Sequence, residues 1–199
     1  MASTDSLAEL LQDELKDLYD AEKQLTKALP KMVKNATATE LKQAFQGHLK
    51  ETEQHIERLE EIFEQLGMPA RGKKCIGMQH LLKEGQEMIG EAEEDATRDA
   101  VMIAAAQKVE HYEIASYGTV RTWATLLGKE HVAALLEDTL EEEKEADQKL
   151  TVIAESVVNA ASAAEGDDDE EEEGVRAKPS RRSVSAGGSR PVAADRKRR

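Results

Sequence analysis

A chain of 199 residues has room for one well-buried domain and little more. Aromatic residues make up 3% of it, beside 4 Pro and a single Cys, so the composition argues against a sheet-rich or disulfide-built fold and for helix. No run of about 18 apolar residues occurs and no basic, apolar leader opens the chain, which excludes a membrane-spanning helix and leads us to expect a cytoplasmic protein. The net charge of −14 is unevenly spread: residues 1–164 carry −14, the run "EGDDDEEEEG" adds −8, and the remainder from Val175 adds +8. An acidic domain repels phosphate, so nucleic acid is an expected partner only through the basic tail.

In chain order, Ser6 with Glu9 forms a capping box, and Leu7, Leu11, Leu15, Leu18, Leu25, Leu29 and Met32 make one helical stripe to about Asn35. Pro30 removes a backbone bond near its end and predicts a bend or early fraying. Thr37 with Glu40 is a second capping box, opening a helix that Gly67 and Pro69 terminate. A long connection follows, with a short helix at about Met78–Ala92 and Cys75 as an inert thiol. The third long helix spans about Thr97–Leu127, and Gly128 separates it from a fourth at about Lys129–Ala160. Two long antiparallel pairs joined by a crossover with its own helix predict an all-α, ferritin-like four-helix bundle over residues 1–164. Residues 165–199 are poor in apolar groups and rich in charge, Ser and Gly, and are expected to be disordered.

Each of the four stripes carries an acid. Glu22 sits between Leu18 and Leu25; Glu51 lies between Ala44 and Leu59, with His48 three residues before and His55 four after as further candidate ligands. Glu113 sits between Val109 and Tyr117, with Glu110 competing for the role, and Glu143 between Leu140 and Leu150, with Asp147 four residues on. Glu22 and Glu51 are 15 and 14 residues from the first turn, and Glu113 and Glu143 are each 15 from the second, so both pairs fall at one height. A buried carboxylate needs a neutralising partner. Carboxylates converging from several helices with some imidazole suit hard or borderline cations, so two Fe or Mn ions per chain are the expected cofactor. In that reading Glu51 and Glu143 bridge or flank the ions, and Glu22 and Glu113 are terminal ligands. The bland alternative is that these acids face solvent or pair with Lys in a metal-poor structural or partner-binding bundle.

The segments "LYDAEKQLTKALPKM", "AFQGHLKETEQHIERLEEIFEQLG", "AAQKVEHYEIASYGT" and "TLEEEKEADQKL" resemble the YciF-type branch of the ferritin-like superfamily over about residues 5–160. The resemblance implies a homodimer with a dimetal site in stress-associated bacterial proteins, and, as an expectation, peroxidase, catalase-like or oxidase chemistry. It points to Glu22, Glu51, Glu110 or Glu113, and Glu143 with Asp147. One departure stands out: dimetal bundles commonly carry Glu-x-x-His on the second and fourth helices, whereas Gln54 and Ala146 occupy the third place after Glu51 and Glu143.

Overall fold

The structure, a computed structural model, describes residues 6–164. The acidic run and basic tail, with their expected disorder and affinity for nucleic acid, lie outside these residues. Among those described, five α-helices follow one another: α1 (Leu7–Asn35), α2 (Thr39–Gln65), α3 (Ile76–Glu91), α4 (Asp95–Leu126) and α5 (Glu130–Ile153). The last passes into a π-helical turn, Ala154–Val158, in which the Asn159 amide donates to the Ala154 carbonyl, and then continues as helix. None of the helices is long and apolar enough to cross a membrane.

Local chemistry sets most boundaries. The Ser6 hydroxyl accepts from the Glu9 amide at 3.2 Å, as the first capping box requires. Helix α1 runs through Pro30 without ending, and the Ala36 amide closes its last turn on Met32. Gly67 and Gly128 take φ of +65° and +68°, and each follows its helix in the same way. The glycine amide donates three residues back and the next amide five back (Gly67 to Glu64 and Met68 to Phe63; Gly128 to Thr125 and Lys129 to Ala124). These are left-handed Schellman caps, and they turn α2 and α4 sharply at the same level of the molecule.

The second capping box does not form. Ala38 is the cap residue of α2 and makes no side-chain cap bond. Asp99, on α4, instead accepts from the Thr37 amide (2.9 Å), the Thr37 hydroxyl (2.6 Å) and the Ala38 amide (2.7 Å). A negative charge at a helix N-terminus that also accepts from the amides of the two residues leading into it holds that end more firmly than a neutral hydroxyl, and it ties the two hairpins together.

α1 pairs with α2 and α4 with α5 as antiparallel hairpins, and α3 crosses over between them against α4 and α1. This is the ferritin-like arrangement. The core is in two parts. One apolar cluster gathers Leu25, Leu29, Leu41, Phe45, Met102, Val109 and Leu150 near the α1–α2 turn. The other gathers Leu15, Leu18, Leu59, Phe63, Tyr117, Val120 and Leu140 toward the opposite end. Each long helix therefore passes from one cluster to the other, and the buried polar residues of the site lie at or beside that changeover.

Candidate metal centre

α1 places Glu22 between Leu18 and Leu25; α2 places His48 and His55 between Phe45 and Leu59; α4 places Glu110 and Glu113 between Val109 and Tyr117; α5 places Glu143 between Leu140 and Leu150. All six are buried, with Glu22, His55, Glu113 and Glu143 fully inaccessible to solvent. His48 and His55 are two helical turns apart, and Glu110 and Glu113 less than one, so each pair projects from one helix face.

Two groups of donor atoms, each drawn together within 4.8 Å, share a single residue: His48, Glu110, Glu113 and Glu143 form one, and Glu22, His55 and Glu143 the other. Glu143 spans them. Its Oε1 is 3.1 Å from His55 Nδ1 and its Oε2 is 3.8 Å from His48 Nε2. His55 Nδ1 is also 3.4 Å from Glu22 Oε1, and His48 Nε2 is 3.5 Å from Glu110 Oε1. Among the described residues no Lys or Arg pairs with Glu22, Glu110, Glu113 or Glu143, so the acids face imidazoles and one another.

The groups around the centre are fixed from outside. Tyr117 donates its phenol proton to Glu22 Oε1. His55 Nε2 is 2.9 Å from Glu142 Oε2, and Glu142 is gripped through both oxygens by Arg58 at 2.5 and 2.7 Å. This leaves Nδ1 of His55 aimed inward, the arrangement by which an outer carboxylate orients a ligating imidazole. Several inner atoms lack a well-aligned hydrogen bond: both oxygens of Glu113 and of Glu143, Oε2 of Glu22 and of Glu110, Nδ1 of His55 despite its 3.1 Å approach to Glu143, and both ring nitrogens of His48. Buried polar atoms are otherwise almost always paired, so this concentration asks for a guest.

The electrostatics agree. Burial, then the like charges of Glu143, Glu22 and Glu110, push the Glu113 carboxyl well above its usual range. Burial does the same to Glu110, against the pull of His48. Glu22 is raised by burial although His55 opposes it. Burial would lower both imidazoles, but the facing carboxylates outweigh it and hold His48 at about 9 and His55 at about 11. Glu143 alone among the inner acids is held below its ordinary value, because His55 and His48 together overcome its burial. Two imidazoliums and shared protons thus neutralise the centre when nothing else does.

The donor set fits a pair of metal ions. Four glutamates and two histidines is the inventory of a ferritin-like dimetal bundle, where two helices give one Glu each and two give Glu-x-x-His. Here the inventory is redistributed: α2 supplies both histidines and no inner carboxylate, and α4 supplies two glutamates. That redistribution accounts for the missing Glu-x-x-His pattern.

The structure does not bring every candidate from the sequence into this group. The Glu51 side chain is 43% exposed, with Oε2 3.4 Å from the outer nitrogen of His48. On α2 the buried positions run 41, 45, 48, 52, 55, 59, and Glu51 is one residue, about 100° of rotation, away from Thr52. Asp147 stands at the outer seam of α4 and α5, accepting from Gln107 at 3.1 Å and 3.4 Å from His111. Tyr112 is remote, bonded to Asp17 and 3.1 Å from Cys75 Sγ. That thiol is buried and pushed up to about 11 by its burial, so it is a poor nucleophile.

Two cavities reach the centre. One of about 450 Å³ lies among α1, α3 and α4, with largely apolar walls that include Leu25, Leu29, Met32, Leu82 and Val109. The other, of about 190 Å³, lies between α2 and α5 and is lined by Glu51, Glu142, Glu145 and Lys149. His48 and Glu110 stand in the walls of both.

Comparison with known proteins follows the whole of this bundle. Residues 6–163 match the family described as a domain of unknown function, DUF892. Protein YciF of Escherichia coli (strain K12) is 49% identical over 146 residues, covering 73% of this chain and 88% of its own length. The crystal structure of the E. coli stress protein YciF superposes with a TM-score of 0.75 at 46% identity, over 78% of this chain and 98% of that one. YcfI of Rhodopseudomonas palustris gives 0.74 at 44% identity, over 75% and 95%. The chain therefore belongs to the DUF892 family and is a homologue of the stress protein YciF.

Proposed function

We propose that the centre holds two divalent iron or manganese ions, with Glu143 reaching both, His55 and Glu22 serving one, and His48, Glu110 and Glu113 the other. The observation that carries this reading is the set of unpartnered donor atoms: six residues from four helices, each with an inner oxygen or nitrogen that lacks a well-aligned hydrogen bond. The oxygen-rich set with two imidazoles favours Fe or Mn over softer ions. Such a pair, when bound, would supply two-electron chemistry toward peroxide or dioxygen during stress, the setting that the E. coli relative's description supports. The protein's own part is to orient. Arg58 and Glu142 hold His55, Tyr117 holds Glu22, and the apolar cavity admits a small uncharged oxidant while limiting water. With this reading go the cytoplasmic location and the homodimer expected above, the latter open to sedimentation analysis.

Elemental analysis of protein purified without chelators tests it. About two Fe or Mn per chain are expected in the wild type and none in Glu143→Gln. A second reading, a metal-free helical bundle, has one specific support: the two raised imidazoles and the protonated acids already balance the buried charge. Absence of metal after both aerobic and anaerobic loading would favour it.

A further inference from the structure

The two cavities that meet His48 and Glu110 differ in the chemistry they offer a traveller. The larger is apolar and has Lys27, Lys31 and Lys83 on its walls, which opposes a hydrated cation twice, by desolvation and by charge. The smaller carries Glu51, Glu142 and Glu145, with Lys149 beside them. An acidic mouth alone would mean little, but this one leads to a buried group that wants a ligand: His48 is 6% exposed, and neither of its ring nitrogens has a hydrogen-bond partner. Inward from the mouth, donor atoms succeed one another at short intervals. Glu51 Oε2 lies 3.4 Å from His48 Nδ1, and on the far side of the ring Nε2 lies 3.5 Å from Glu110 Oε1 and 3.8 Å from Glu143 Oε2.

We propose that the α2/α5 cavity is the uptake route for the divalent cation, with Glu51 and Glu145 drawing it from solvent and His48 handing it to Glu110 and Glu143. The proposal rests on the dimetal reading above and gives Glu51 a transit role outside the resident ligand set. Lys149 stands in the mouth as a built-in counter-cation that an arriving ion displaces. Acidic focusing of this kind raises association rates by about 10- to 1,000-fold.

The test is stopped-flow loading of the full-length, metal-free protein with Mn²⁺ or Co²⁺, the free ion being followed with a chromophoric chelator. Glu51→Gln/Glu145→Gln should load about tenfold more slowly at low salt, to the wild-type stoichiometry, with the difference shrinking at high salt. Lys149→Met should load faster, while Ala106→Leu, in the apolar cavity, should load at the wild-type rate; circular dichroism checks that each variant is folded. Wild-type loading rates in the double variant would overturn the proposal, as would equal slowing by Ala106→Leu. Reduced stoichiometry at an unchanged rate would also overturn it, by making Glu51 a resident ligand. If the wild type binds no ion at all, the loading amplitude vanishes and the dimetal reading itself fails.

Discussion

Two places in this bundle bury carboxylates, and they are built on opposite principles. Asp99 is 2% exposed and collects donors from Thr37 and Ala38, so its charge is fully answered by protein. Glu113 is 0% exposed, and neither of its oxygens is answered. The first is a structural brace and the second an open valence. Burial of an acid therefore says little about function until its partners are counted.

Breaking each site should separate the two kinds. The largest effect is expected from Glu143→Gln, which touches both donor groups: affinity for both ions should fall by more than the roughly 100-fold that loss of a mere supporting group can cost, measured by metal content and competitive titration. Next comes pH. Glu22, Glu110 and Glu113 rise above 4.5 on folding, and His48 and His55 rise above 6.5 to about 9 and about 11. Raised groups stabilise fully below their unfolded values and lose that contribution as pH climbs through the folded ones. The metal-free protein should therefore lose stability between about pH 4.5 and 11, by about 1.4 kcal/mol per pH unit for each extra proton the folded state holds. Glu143, lowered, acts only below 4.5 and leaves this window untouched. Metal displaces those protons, so the loaded protein should show a flatter or reversed slope in thermal unfolding.

Asp99→Ala should cost about 2–4 kcal/mol, a fall of roughly 5–15 °C in Tm, equally with and without metal and with unchanged metal content. A metal-dependent loss there would erase the contrast between the two sites. The smallest effect is expected from Glu142→Ala, which frees the outer nitrogen of His55: about tenfold in affinity for one ion, with little change in stability, since the Arg58 pair is partly solvated.

Much of this was legible in the chain because helices advertise themselves. The stripes through Leu11–Leu29 and Val109–Val120 point to Glu22 and to Glu110 or Glu113, both of which α4 buries, and Gly67 and Gly128 mark the ends of α2 and α4. On α2 the sequence offers Glu51 first with His48 and His55 as further candidates, and the phase set by Phe45, Thr52 and Leu59 turns the two histidines inward and Glu51 outward. Asp99 had no local signal at all. Its donors are 61 and 62 residues away, and Thr37 with Glu40 offered a plausible local cap that the fold discards. The π turn at Ala154–Val158 was likewise invisible, since its bond pattern has no residue signature.

The Asp99 brace also bears on how the chain becomes a bundle as it is made. The α1–α2 hairpin, with Glu22, His48 and His55 on its inner face, emerges from the ribosome ahead of Asp99, the residue that caps α2. From Gln65 to Asp99, at about 5–20 residues per second, the wait is roughly 2–7 s. During it, the hairpin presents an apolar face with no partner and an α2 end whose first amides are unclaimed. Arrival of α4 supplies the cap and the opposite wall of the core in one event, so the two hairpins should consolidate together, and a slow synthesis pause before α4 would be a window for misassembly.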